Sequence, residues 1–164
     1  DVSVQVLELP YRQRSTSMVI FIPKKGNTLE TLLMSMTPEK ITQVLAKLRP
    51  TQVAVSLPRF SMEWGAKDIR DELVKAGMPL RGDFSDLGSS DLMVGKLIHK
   101  AKFSINEDGS EAAAATVIAM PPGSSSLPTK PVLFLADRPF MFLIRHKTTS
   151  AWLFIGQLEN PGND

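Results

Sequence analysis

The chain has 164 residues, of which 43% are hydrophobic and 22% charged, enough for one ordinary domain with a sizeable core. The net charge is +2, both signs are mixed along the chain, and no dense Lys/Arg cluster occurs, so no nucleic-acid partner is expected. With no cysteine, disulfides, thiolate metal sites and Cys nucleophiles are excluded, and no run approaches the roughly 20 apolar residues of a membrane helix.

The first element is already a strand. Val2, Val4 and Val6 share one parity against Ser3 and Gln5, so Val2–Leu9 reads as β. A chain that opens inside a strand, with no signal peptide, points to sequence missing upstream. A polar turn around Arg12 to Ser15 leads to a second strand, Ser17–Ile22, and Pro10 and Pro23 close the two. Thr37-Pro38-Glu39 has the form of a helix start, with a capping hydroxyl and proline at the first helical position. Ile41, Val44, Leu45 and Leu48 follow at helical spacing, and Pro50 stops the run. Thr51 to Phe60 alternates again through Val53, Val55 and Leu57. Ala66, Ile69, Leu73 and Ala76 form the stripe of a second helix, closed by Gly77. After a Gly/Ser/Asp-rich loop at 83–91, Met93 to Ile105 reads as a long strand with Leu97, His99, Ala101, Phe103 and Ile105 on one side. Phe140–Ile144 and Ala151–Leu158 form a closing hairpin around the turn His146 to Ser150. The fold class is therefore α+β, with mixed, largely antiparallel sheets and a few helices.

Between Asn106 and Leu133 the pattern fails. Glu107-Asp108-Gly109-Ser110-Glu111 leads into Ala112 to Ala115 and Thr116, then into the Pro/Gly/Ser-rich run from Met120 to Pro128. A structureless stretch of this length inside a domain is usually functional or disordered. Three readings stay open on composition alone: a flexible linker, a short Ala-rich helix, or a strand held in reserve. In the third, Ser110, Ala112, Ala114, Thr116 and Ile118 share one parity and are mostly small, while Glu111 faces the other way.

No catalytic residue is expected of this chain. His146 lies in a turn, and no serine sits in a Gly-x-Ser-x-Gly elbow. Two histidines without cysteine give no metal site, and Asp83, Asp86 and Asp91 lack calcium-loop spacing. No cofactor is expected. Trp64 and Trp152 read as packing residues.

His99-Lys100-Ala101 followed by Asn106 to Thr116 resembles the proximal hinge of the serpins, the serine protease inhibitor family, and the strand that leads into it. Asp137-Arg138-Pro139-Phe140-Met141-Phe142-Leu143-Ile144-Arg145-His146 is similar to the serpin C-terminal signature. Leu153-Phe154-Ile155-Gly156-Gln157 and Asn160-Pro161 continue it. Leu7-Glu8-Leu9-Pro10-Tyr11 and Leu57-Pro58-Arg59-Phe60 match serpin patterns in the right order.

The resemblance implies that residues 1–164 are a single partial serpin domain, the C-terminal portion of the fold, with an exposed reactive-centre (bait) loop at about 107–131. An N-terminal serpin segment would be needed to complete the fold and cover apolar faces left open here. The implied function is suicide inhibition of a serine protease: the loop is cut, an acyl-enzyme forms, and the loop inserts into the large sheet. The alternative is a non-inhibitory serpin acting as carrier, chaperone or cleavage-activated signal. The implied hinge is Glu107, Gly109, Ser110, Glu111, Ala112, Ala113, Ala114, Ala115 and Thr116. Arg59 pairs with Glu107 at the breach, where insertion begins, and His99 belongs to the shutter beneath the large sheet; the residues alone would make His99 a hydrogen-bonded core histidine.

Family spacing puts the reactive bond between Gly123 and Ser124. Met120, Leu127 and Lys130 are each followed by proline, which most serine proteases reject after the cut. The implied partner is then an elastase-like or subtilisin-like protease. No membrane partner follows, a polyanion cofactor is left open, and the implied setting is extracellular, without excluding the cell interior.

Overall fold

The computed structural model describes residues 4–79, 93–106 and 130–162. They belong to two compact units, Asp1–Phe60 with Asn106–Asp164, and Ser61–Ile105.

The larger unit opens with β1 (Val4–Pro10) and β2 (Thr16–Pro23), paired antiparallel with Val6 opposite Phe21 and Glu8 opposite Val19. The turn between them carries Arg14 at φ 57°, and the Arg14 N–H bonds to the Tyr11 carbonyl at 2.8 Å. Helix α1 (Leu29–Ser35) starts at Thr28, whose Oγ1 accepts the Thr31 N–H at 3.1 Å. Helix α2 (Pro38–Ala46) starts at Thr37, which accepts from the Lys40 N–H at 3.3 Å, with proline in the first turn as its missing donor allows. The chain continues through β3 (Val53–Ser56) and into β4 (Phe60–Asp68).

Helix α3 (Arg70–Lys75) and β5 (Ile98–Ile105) complete the smaller unit, in which β4 and β5 form a two-stranded sheet. Asp68 holds this unit's corner: its Oδ1 accepts the N–H groups of Arg70 and Leu97, both at 3.1 Å. Those two bonds hold its carboxyl below the ordinary range.

The larger unit closes with β6 (Val132–Leu135), β7 (Phe140–His146) and β8 (Trp152–Leu158). Its main sheet has the order β1-β2-β7-β8, antiparallel throughout, while β3 and β6 pair in parallel. Strands β2 and β7 are interior and read as nearly unbroken apolar runs, the composition of strands covered on both faces. Val19, Phe21, Met141 and Leu143 on one face pack with Leu29, Leu32 and Ile41 of the helices. Met18, Ile20, Ile22, Phe140, Phe142 and Ile144 have the other parity and are also buried. On that side the Phe60 ring lies 5.9 Å from Phe140 and 5.7 Å from Phe142, and Gln5 Nε2 donates to the Leu133 carbonyl at 3.2 Å. Edge strand β8 is less protected: Trp152, Leu153, Phe154 and Ile155 are 40–60% exposed.

Three boundaries differ from the sequence reading. The expected strand from Thr51 to Phe60 is two strands, broken at Leu57-Pro58-Arg59, because proline supplies no ladder donor. Ala66 lies inside β4, not on a helix. Regular pairing of the expected strand from Met93 begins only at Ile98, beyond Gly95. No helix among the described residues is long and apolar enough to cross a membrane.

Candidate functional site

Residues 107–129 lie outside the described residues, so the hinge from Glu107 to Thr116 and the bond at Gly123 and Ser124 have no structural account. Their flanks are described. On the N-terminal side β5 alternates as a half-covered strand should, with Ala101, Phe103 and Ile105 partly buried and Lys100, Lys102 and Ser104 exposed. On the C-terminal side β6 pairs with β3 in register, Val132 opposite Val53 and Leu135 opposite Ser56. Two further bonds bracket that ladder, Val132 N–H to the Gln52 carbonyl at 3.0 Å and Ala136 N–H to the Ser56 carbonyl at 2.9 Å. Phe134 is 2% exposed and anchors β6.

Arg59 is exposed, between β3 and β4. His99 is exposed on β5, with its ring 5.4 Å from that of Trp64 and tilted by 51°. His99 is therefore not a core histidine in this chain: Leu97, Ala101, Phe103 and Ile105 are partly covered, whereas His99 is exposed beside the Trp64 ring. Lys67 Nζ lies 5.6 Å above the same Trp64 ring, and Lys100 pairs with Glu63 at 2.6 Å. Among the described residues no group of three or more His, Cys, Asp or Glu could hold a metal.

The sequence reading passed over the best-formed polar cluster. One carboxylate oxygen of Glu8 accepts three donors: Ser17 Oγ at 2.6 Å, Arg145 Nη2 at 2.8 Å and Arg145 Nε at 3.2 Å. Both charged side chains are 18% exposed. Burial alone would raise the Glu8 carboxyl, but the Ser17 and Arg145 hydrogen bonds, with the charges of Arg145 and Lys147, hold it below its ordinary value. The signal was faint: a lone acid among Leu7, Leu9 and Pro10, and a lone Arg ending an apolar run.

Compared with known proteins, residues 1–161 match the family model described as Serpin (serine protease inhibitor). The chain is 36% identical to antithrombin-III of Bos taurus over 168 residues, 97% of this chain and 35% of that protein. It is 36% identical to the leukocyte elastase inhibitor of Bos taurus over 172 residues, 98% of this chain and 45% of that protein. Among solved structures, the thermophilic serpin tengpin in its native state superposes with a TM-score of 0.72 at 25% identity, over 98% of this chain and 43% of that one. The chain thus spans about two fifths of the length of the curated relatives it matches. The sheets, the order of their strands and the motifs at Leu7–Tyr11, Leu57–Phe60 and Asp137–His146 fit that match, and the chain belongs to the serpin family.

Proposed function

We propose that the protein containing this chain inhibits a serine protease by offering residues of about 107–131 as bait, a segment within one partial domain of residues 1–164. The target's serine attacks the loop and forms an acyl-enzyme, and the loop then inserts as a strand into the large sheet before the ester is hydrolysed. The chain supplies stored conformational energy, and the protease supplies the chemistry.

The observation that carries this reading is the residue pattern of the hinge. Gly109 permits the backbone change. Ser110, Ala112, Ala114 and Thr116 are small enough to enter between strands, and no charge or proline interrupts that parity before Pro121. Names among the relatives, antithrombin-III and leukocyte elastase inhibitor, support inhibition as the family activity. Arg59 with Glu107 at the breach and His99 at the shutter complete the proposed machinery. Gly123–Ser124 is the proposed cut, with an elastase-like or subtilisin-like target. An extracellular setting and completion of the fold by an N-terminal serpin segment belong to the same reading.

Incubation of the intact protein with a panel of serine proteases tests it. An SDS-stable complex and a marked rise in melting temperature after loop cleavage are expected. Clean cleavage by every protease, with neither complex nor stabilisation, would instead identify a non-inhibitory serpin.

A further inference from the structure

Strand β6 has the composition of a strand covered on both faces, yet one of its faces is open. Val132-Leu133-Phe134-Leu135-Ala136 is an unbroken apolar run, the pattern expected where neither side meets water. β5, with one covered side, alternates and turns Lys100, Lys102 and Ser104 outward. On β6 the covered parity is that of Phe134, 2% exposed, with Val132 as the strand's open start at 52%. The opposite parity is Leu133 and Leu135, 59% and 37% exposed. Their partners in register on β3 are Ala54 and Ser56, both exposed and both too short to cover them.

Two features argue that this face is a contact surface. It is firmly held: β6 is fixed by its ladder with β3, the bonds to Gln52 and Ser56 that bracket it, the Phe134 anchor, and the Gln5 Nε2 bond to the Leu133 carbonyl at 3.2 Å. A contact made on such a surface costs little ordering. It is also unguarded. Exposed edge strands ordinarily carry a lysine or another charge against chance pairing, and none occurs from Pro131 to Ala136. One exposed leucine needs no explanation, but two at successive outward positions of a fixed strand do.

Position identifies the occupant. β6 begins at Val132, directly after the segment read as bait. From Ser124 to Leu133 the chain can span at most about 32 Å, less than the roughly 45 Å width of a protease of ordinary size. A protease that takes the bait into its cleft therefore brings the rim of that cleft over β6. We propose that Leu133 and Leu135 form an exosite, an apolar patch outside the bait segment that binds an apolar rim of the target protease and so helps select which protease is engaged. The inference rests on the reading that residues of about 107–131 are offered to a serine protease, and not on the trapping step that follows.

The experiment uses the intact protein with elastase and subtilisin whose catalytic serine is replaced by alanine, so that affinity is read without cleavage. Leu133→Lys/Leu135→Lys should bind about tenfold more weakly to whichever of the two the wild type holds, because each ammonium would be set against an apolar rim. Leu133→Met/Leu135→Met should keep most of the affinity. Met34→Lys, at an exposed apolar position on α1, should leave it unchanged. Raising the salt should not weaken the wild-type contact, and the melting temperature of the lysine variant should hold. Equal affinity in the lysine variant, or no binding of either protease by the wild type, would overturn the proposal. So would a lowered melting temperature, which would place the face under the rest of the protein, or a wild-type dimer that the lysine variant dissolves. Active protease separates the two readings: clean cleavage without an SDS-stable complex rejects inhibition alone, and equal affinity rejects the exosite alone.

Discussion

Arg145 reaches Glu8 across an intervening strand. The two residues lie on β7 and β1, with β2 between them, and the guanidinium passes over Ser17, which stands directly opposite Arg145 in the ladder. The short Ser17 side chain leaves room for the crossing and adds a donor of its own. Three strands are thereby fastened at one point by side-chain bonds, beside a helix–sheet core whose side chains are apolar. Replacing Arg145 with methionine keeps bulk but leaves a mostly covered carboxylate without its charge partner, and should cost about 2 kcal/mol. The denaturation midpoint of the intact protein at pH 7 checks it.

The same cluster predicts a pH dependence. The folded Glu8 carboxyl lies below its ordinary value of 4.5, so its stabilising contribution is complete above that pH and is lost as the pH falls through the lower folded value. Glu8→Gln should therefore be less stable than wild type at pH 7, and the difference should narrow below pH 4.5. A constant difference from pH 7 to pH 3 would mean that the contribution comes from shape and not from charge.

Gly156 on β8 faces a ring. A Cβ built there would lie 2.6 and 2.7 Å from two ring carbons of Phe142, whose side chain is 3% exposed and has little room to retreat. Gly156→Ala should destabilise by about 1–3 kcal/mol through overpacking. Adding Phe142→Leu to that variant should return part of the loss, and melting curves of the single and double variants would show whether the two positions are coupled.

Leu32 and Met34 stand two residues apart on α1 and should behave oppositely. Leu32 is fully buried in the helix–sheet core, while Met34 is 83% exposed. Leu32→Ala should cost about 2–5 kcal/mol and Met34→Ala within about 0.5. Similar costs in chemical denaturation would contradict the placement of α1 against β2 and β7.

In the proposed hinge, Ser110→Arg or Ala112→Pro should convert inhibitor to substrate, because each puts a charge or a missing ladder donor on the inserting parity. A change at Glu111 should matter less. The ratio of SDS-stable complex to cleaved product reads the outcome, and equal effects at both parities would argue against strand insertion.

The sequence made some elements plain and concealed others for identifiable reasons. β1, β2, β7, β8 and α2 follow from alternation, apolar runs and the Thr37-Pro38 start. Ala66 misled because it fits two periods at once: it continues Phe60, Met62 and Trp64 at a spacing of two, and meets Ile69 and Leu73 at helical spacing. The short helix α1 went unread although Thr28 supplies its cap. The parallel pairing of β3 with β6 joins residues about 80 apart and leaves no local trace. Nor does the Glu8–Arg145 pair, whose members are 137 residues apart. The proposed hinge rests on composition and motif alone, since residues 107–129 lie outside the described residues.

One further consequence comes from β7 lying between β2 and β8. A chain opened anywhere between 120 and 131 keeps the piece after the cut tied to the rest by two ladders, β7 to β2 and β6 to β3, while β8 stays attached through β7. The nicked molecule would travel as one particle through a sizing column and part into two pieces only in denaturant. Its short piece would be retained by shape and hydrogen bonding alone, without a covalent link to the rest.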